Sequence, residues 1–221
     1  MKKCLLFLAV AGLMAVSAPA YAQYMFVDTS GDGKNSTNTV NPAHAGGAAD
    51  ILSSSVHSID VYVVTDQDQD GTAATATCAP GETFQINSYE FVLRQSGSGS
   101  VAYGAWTDNM GYANGGVLCG DNVTCQGAGD IWVGKYKFTY DPPGRYKLGS
   151  LAITVTGQPK LDFAASSTIH ALAETAFGSS CSGSQGDHTI RLGVDFFRAD
   201  GTAAPFPVTS TTWGKIKLAY K

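Results

Sequence analysis

The chain of 221 residues carries 14 Lys and Arg against 18 Asp and Glu, a net charge of −4. That balance argues against nucleic acid and anionic membrane surfaces as partners. Charged residues make up 14 % of the chain and glycine occurs 26 times, a composition that suits strands and tight turns and disfavours long helices.

Residues 1–22 read as a secretory signal peptide. Lys2 and Lys3 form a basic start, "LLFLAVAGLMAV" an apolar run, and Ala20 and Ala22 the small-x-small pattern of a cleavage site after about Ala22. The run is too short for a good membrane span. The mature chain is expected to be soluble and secreted or held at the cell surface, with the periplasm also open. It retains 12 basic and 18 acidic residues and no transmembrane segment.

Residues 23–55 read as a polar, Gly-rich N-terminal extension with its own aspartate loop, and 56–221 as a single β-sandwich domain. From residue 56 onward apolar and polar residues alternate in short runs bounded by turn residues, the signature of half-buried strands. "IDVYVVT" is a strand of 59–65. In "QINSYEFVLRQ" Tyr89, Phe91 and Leu93 share the core face. In "DIWVGKYKFTY" the alternation assigns Trp132, Tyr136, Phe138 and Tyr140 to the core face and Lys135 and Lys137 to solvent. Leu151, Ile153 and Val155 point inward, as do Ile190, Leu192, Val194 and Phe196. "WGKIKLAYK" is a terminal strand. Pro142, Pro143 and Gly144 form a sharp turn. The one helical window is "STIHALAETAF", 167–177, where His170 and Glu174 would share a face. The expected fold is all-β, an antiparallel β-sandwich of jelly-roll type with at most one short helix.

After cleavage Cys78, Cys119, Cys125 and Cys181 remain. An even number in an exported chain reads as a disulfide set. Three pairings are open; Cys119 with Cys125 around "GDNVT", and Cys78 with Cys181, is preferred.

Two loops carry aspartates at the spacing that opens a calcium loop, where oxygens must converge on the ion at about 2.3–2.6 Å. Asp66, Asp68, Asp70 and Gly71 form one, and Asp28, Ser30, Asp32 and Gly33 the other. The closing position is Thr77 in the first and Thr39 in the second, and neither loop has helical flanks. Turn chemistry alone also produces such sequences. Three carboxylates within five residues repel unless solvated or bridged by a cation, so Ca2+ is expected at the first loop, completed by the second loop, a carbonyl or water.

The stretches "YMFVDTSGDG", "IDVYVVTDQDQDG", "INSYEFVLRQSGSGSVAYGAWTDN" and "YKLGSLAITVTG" resemble exported bacterial β-sandwich proteins of cohesin-like and carbohydrate-binding-module-like type, mainly over 56–160. The resemblance implies a jelly-roll with bound calcium and a role in recognition or surface assembly. Cohesins lack this cysteine set, and a dockerin repeat is matched only in its opening residues.

No nucleophile elbow, zinc-protease helix, phosphate loop or dinucleotide fingerprint occurs. His44, His57, His170 and His188 have no metal spacing, and neither Glu82 nor Glu90 has an evident carboxylate partner for glycoside hydrolysis. No catalytic residue is assigned. Sugar rings stack on exposed aromatics, and the candidate ligand residues are Trp106, Tyr103 and Tyr112 with Asp108 and Asn109; the competing reading puts Trp106 in the core. The expected function is a non-catalytic, calcium-stabilised module for extracellular recognition or surface assembly, its partner a protein or a polysaccharide. The alternative is a carbohydrate-binding module using 103–112, and the remote alternative a glycan-active hydrolase.

Overall fold

The computed structural model describes residues 23–36, 46–74, 84–119, 129–168, 173–181, 187–191 and 199–200. These residues are all-β, with no helix. The strands are β1 (Tyr24–Asp28), β2 (Ser58–Val64), β3 (Phe84–Asp108), β4 (Asn114–Cys119), β5 (Asp130–Asp141), β6 (Arg145–Ala164), β7 (Ala176–Cys181), β8 (Asp187–Arg191) and β9 (Ala199–Asp200). All pair antiparallel in one connected sheet, in the order β1-β2-β6-β3-β5-β4. β7 joins the first part of β3 and carries β8, while β9 pairs with β6.

Two strands are too long to be straight. β3 has 25 residues and β6 has 20. Extended, β3 would span roughly 80 Å, yet its own Trp106 indole donates to the Tyr89 hydroxyl, 17 residues earlier, at 3.3 Å. The strand therefore doubles back, and the sheet folds over with it. The bend is written in glycine on both strands of the ribbon. Gly97 and Gly99 of β3 lie opposite Pro159 and Gly157 of β6, and Gly99 and Gly157 have φ of 154° and 73°. A Cβ at Gly99 would sit 2.2 Å from the Thr156 carbonyl oxygen, and one at Gly157 2.7 Å from that of Ser98. No other residue fits there without moving backbone.

Folding the sheet brings distant strands onto one core. Met25 and Val27 of β1, Ile59, Val61 and Val63 of β2, Phe91 and Leu93 of β3, Ile131 and Val133 of β5, Leu151 of β6 and Phe177 of β7 belong to a single buried cluster. Each such side chain contributes about 1.5–3 kcal/mol by leaving water. The arrangement is compatible with the expected sandwich. A smaller cluster on the other face of β1 and β2 holds Tyr24, Phe26 and Val64. There Phe26 and Tyr62 stack at 4.8 Å, and the Arg145 guanidinium lies over both rings at 5.5 and 5.1 Å.

Three sequence expectations change. The start of the 23–55 stretch, expected as a polar extension, contributes a strand to the sheet: β1 pairs with β2 residue for residue from Tyr24 opposite Val64 to Asp28 opposite Asp60. The helical window at 167–177 is not helical where it is described. Ser166 bridges Glu174, the Ser167 amide donates to the Ala173 carbonyl, and Ala176 and Phe177 lie in β7. Strand pairing wins because the Thr175 hydroxyl joins Ala164 of β6 to the Val92 amide of β3. His170 lies outside the described residues.

The third change concerns β5. Its core side is Ile131 and Val133, both fully buried, so Trp132, Tyr136, Phe138 and Tyr140 face outward. Lys137, expected in solvent, is held by Asp141 at 2.8 Å and lies 4.6 Å over the Tyr112 ring. A β-branched pair at the opposite parity sets the strand's phase, and the aromatics follow it outward. Among the described residues no helix is long and apolar enough to cross a membrane.

Candidate ligand-binding face

The aspartate loops are built around backbone amides. Asp28, buried at the end of β1, accepts the Ser30 amide, the Ser30 hydroxyl and the Gly31 amide on Oδ1 at 2.8–3.0 Å, and the Gly33 amide on Oδ2 at 2.7 Å. Asp32 accepts the amides of Lys34 and Ala48, each at 2.8 Å, and the Ser30 hydroxyl accepts from the Asp32 amide at 3.4 Å. Slight burial works upward on Asp32, but these amides hold its carboxyl below the usual value. Asp50, a loop residue ahead of β2 that no motif spacing marks, accepts from Thr29 and twice from Ser36. Burial pushes its carboxyl up, the Asp28 charge adds to that, and the Ser36 and Thr29 bonds work against it.

In the other loop Asp70 accepts the hydroxyl and amide of Thr72 at 2.6 and 2.9 Å, which lowers its pKa. Asp66 is exposed and Asp68 buried. Asp68 closes a tight turn through its own backbone with Gly71 and Thr72. Among the described residues no three His, Cys, Asp or Glu side chains converge to hold a metal. At Asp28 and Asp32 backbone amides take both carboxylate oxygens and close the turn, whereas in the 66–71 loop the Thr72 bonds fall on a single oxygen of Asp70. Cys78 and Cys125 lie outside the described residues; Cys119 ends β4, and Cys181 ends β7 opposite Phe84.

The aromatic residues of 103–112 do come together, but around the core. Trp106, half-buried, stands edge-on to Phe91 at 5.3 Å and to Tyr89 at 6.4 Å. Tyr103 is buried, its hydroxyl 3.5 Å from the Gly129 carbonyl. Asp108 accepts from the Tyr89 hydroxyl and, at 2.8 Å, from the Tyr112 amide. Tyr112 is buried and donates to Asp141 at 2.7 Å. Asn109 is exposed and donates its amide to Leu148. Burial drives the hydroxyl pKa of Tyr89, Tyr103 and Tyr112 far upward; accepting carboxylates add to this at Tyr89 (Asp108) and Tyr112 (Asp141), and the Asp130 charge at Tyr103. The network satisfies the polar tips of these rings within the fold and leaves Trp106 half-buried.

The open aromatic faces are on the other side of the sheet. Side chains repeat on one face of a strand every second residue, so Trp132, Gly134 and Tyr136 share the outer face of β5; beyond Tyr136 the register against β3 shifts, and Phe138 and Tyr140 are outward by their exposure. Tyr136, Phe138 and Tyr140 are 43 %, 84 % and 42 % exposed and are the exposed large hydrophobic residues among those described. Tyr136 and Phe138 meet edge to face at 5.7 Å.

Beside the row lies a shallow cleft of about 270 Å³ between the indole of Trp132 and the ring of Tyr136. Its lining follows the register: Gly134, Glu90 and Ala176 form one rung across β5, β3 and β7, and Tyr136, Ser88 and Gly178 belong to the next. The Trp132 ring lies over Gly134, where a Cβ would come within 2.2 Å of it. Trp132 is fixed by its indole N–H, which donates to Glu90 Oε2 at 2.8 Å. Lys135 also lines the cleft. The sequence contained a signal for this face: Ile131 and Val133 at one parity and aromatics interrupted by Gly134 at the other.

Fold and face together define an all-β, antiparallel folded-sheet protein whose aromatic side chains divide between a sealed interior and an open outer row. Comparison with protein-family profiles, with curated proteins and with solved structures finds no match to this chain in any of the three.

Proposed function

We propose that this protein is a non-catalytic extracellular recognition module that engages its partner through the outer face of β5. The observation that supports this is the row Tyr136, Phe138 and Tyr140, three large rings left in water. Exposed apolar area of this kind, concentrated on one strand, is costly in a free protein and marks interaction sites. The reading keeps the function expected from the sequence and moves the contact surface from 103–112 to 132–140.

The test uses the mature chain and the insoluble extracellular material of the producing cells. The wild type is expected to sediment with it, and the triple variant Tyr136→Ala, Phe138→Ala, Tyr140→Ala to remain in solution. Equal sedimentation of the two removes the proposal. Calcium enters only as a stabiliser, supported by the alternation of Asp66, Asp68 and Asp70. A melting temperature that does not move on calcium titration takes it out.

A further inference from the structure

We propose that β4 pairs antiparallel with the β4 of a second copy of this chain, joining two sheets edge to edge about a two-fold axis. This goes beyond the recognition reading, because it uses the edge of the sheet and not the outer face of β5.

The order of the sheet ends on β1 at one side and β4 at the other. β1 is sealed, with all five of its residues buried. β4 pairs with β5 on one side and, among the described residues, with nothing on the other. Asn114, Gly116 and Val117 are half-buried and Gly115 is exposed. Every second residue of such an edge turns its N–H and C=O away from the sheet, a template for another strand. Folded proteins guard edges with lysine, proline or an inward-pointing charge. The sequence "NGGVLC" holds none of them.

The two glycines of β4 differ in what a single chain asks of them. Gly115 has φ of 110°, and a Cβ there would come within 2.1 Å of the Gly134 carbonyl oxygen. The fold itself needs that glycine. Gly116 lies outside the left-handed region, and a Cβ would meet only the Trp132 ring, at 3.8 Å. Glycine weakens a strand interior, and close approach of a second backbone gives the bare position a use.

A two-fold axis through Gly116, perpendicular to the sheet, sets Gly116 opposite itself, Gly115 opposite Val117 and Asn114 opposite Leu118. Like faces then meet, as a sheet requires, and residue i meets j as j meets i. The five residues 114–118 give a shared edge of roughly 17 Å in a layer about 10 Å thick. That is well below the about 800 Å² per side of a stable complex, so the dimer is weak and reversible. Both β5 faces point to the same side of the joined sheet, which doubles whatever they engage.

Sedimentation velocity of the mature chain from about 1 μM to about 1 mM tests this. Expected is a reversible shift from monomer to dimer that stops there. Gly116→Lys sets like charges opposite each other and should raise the dissociation constant about fivefold or more. Gly116→Glu should do the same, and an equimolar mixture of the two should dimerise again. Gly116→Ala and the triple β5 variant should behave as wild type. In wild type, hydrogen exchange of amides 114–118 should slow as concentration rises, a readout that depends on no variant's folding. A chain that stays monomeric throughout overturns the proposal, as does growth past the dimer or equal dimerisation by Gly116→Lys. So does a mixture that associates no better than its parts, or a dimer that only the β5 variant abolishes. If the dimer forms while sedimentation with extracellular material is indifferent to the β5 rings, the recognition face fails and the edge stands; the reverse pattern leaves the face and removes the edge.

Discussion

The inner corner around Trp106 and the outer row on β5 are both aromatic, both near tyrosine hydroxyls and both flanked by carboxylates, yet only one is open to a partner. In the inner corner every polar tip has an assigned use. Trp106 donates to Tyr89, Tyr89 to Asp108, and Tyr112 to Asp141, so the rings can leave water without stranding a donor. On the outer row Trp132 is tied to Glu90, Tyr136 and Phe138 meet edge to face, and Tyr136, Phe138 and Tyr140 keep much of their surface in water. An aromatic residue is therefore no guide to function until its parity and its hydrogen bonds are known.

The contrast should be visible as stability inside and binding outside. Phe91→Ala, at the centre of the inner cluster, is expected to cost about 3–5 kcal/mol in urea unfolding; a cost below 1 kcal/mol would mean that the cluster is not core. Asp108→Ala removes the acceptor shared by Tyr89 and the Tyr112 amide and should cost about 2 kcal/mol.

The inner tyrosines also give the fold a pH limit. Their hydroxyls stay protonated in the folded chain above their ordinary value of 10.0, whereas in the unfolded chain they ionise there. Above that value the folded state binds more protons, so the tyrosines' contribution to stability is constant below pH about 10 and falls above it. Unfolding curves across that range check this, and Tyr89→Phe should flatten the fall.

Trp132→Phe, which keeps the ring and drops the bond to Glu90, should cost about 1 kcal/mol. Phe138→Ala should change stability by less than about 0.5 kcal/mol. A larger loss would place Phe138 in a packed environment and erase the difference between the two regions.

Much of the fold could be read from alternation. Ile59, Val61 and Val63, Tyr89, Phe91 and Leu93, and Leu151, Ile153 and Val155 lie on the buried faces that their spacing implies. β1 escaped because "YMFV" does not alternate. Met25 and Val27 feed the main core while Tyr24 and Phe26 feed the cluster behind it, and a strand buried on both faces has no period of two to detect. The phase of β5 is masked in the sequence because four aromatics outweigh Ile131 and Val133. A tryptophan in a polar context reads as open, whereas Trp106 is half-buried and has Tyr89 from far back on its own strand to receive its N–H. That contact depends on a bend that no local pattern reports.

The glycine corner of the β3–β6 ribbon also bears on how the chain folds. The ribbon's pairs run from Asp108 opposite Gly149 to Val92 opposite Ala164, each step joining residues further apart along the chain. Closing the shortest loop first is entropically cheapest, so pairing should start at the Asp108 end and zip toward Val92. The corner at Gly99 and Gly157 lies midway. The first half of β3 can meet β6 only after the growing ribbon has turned there, which makes two glycines remote from both aromatic regions the kinetic gate through which the open face is assembled.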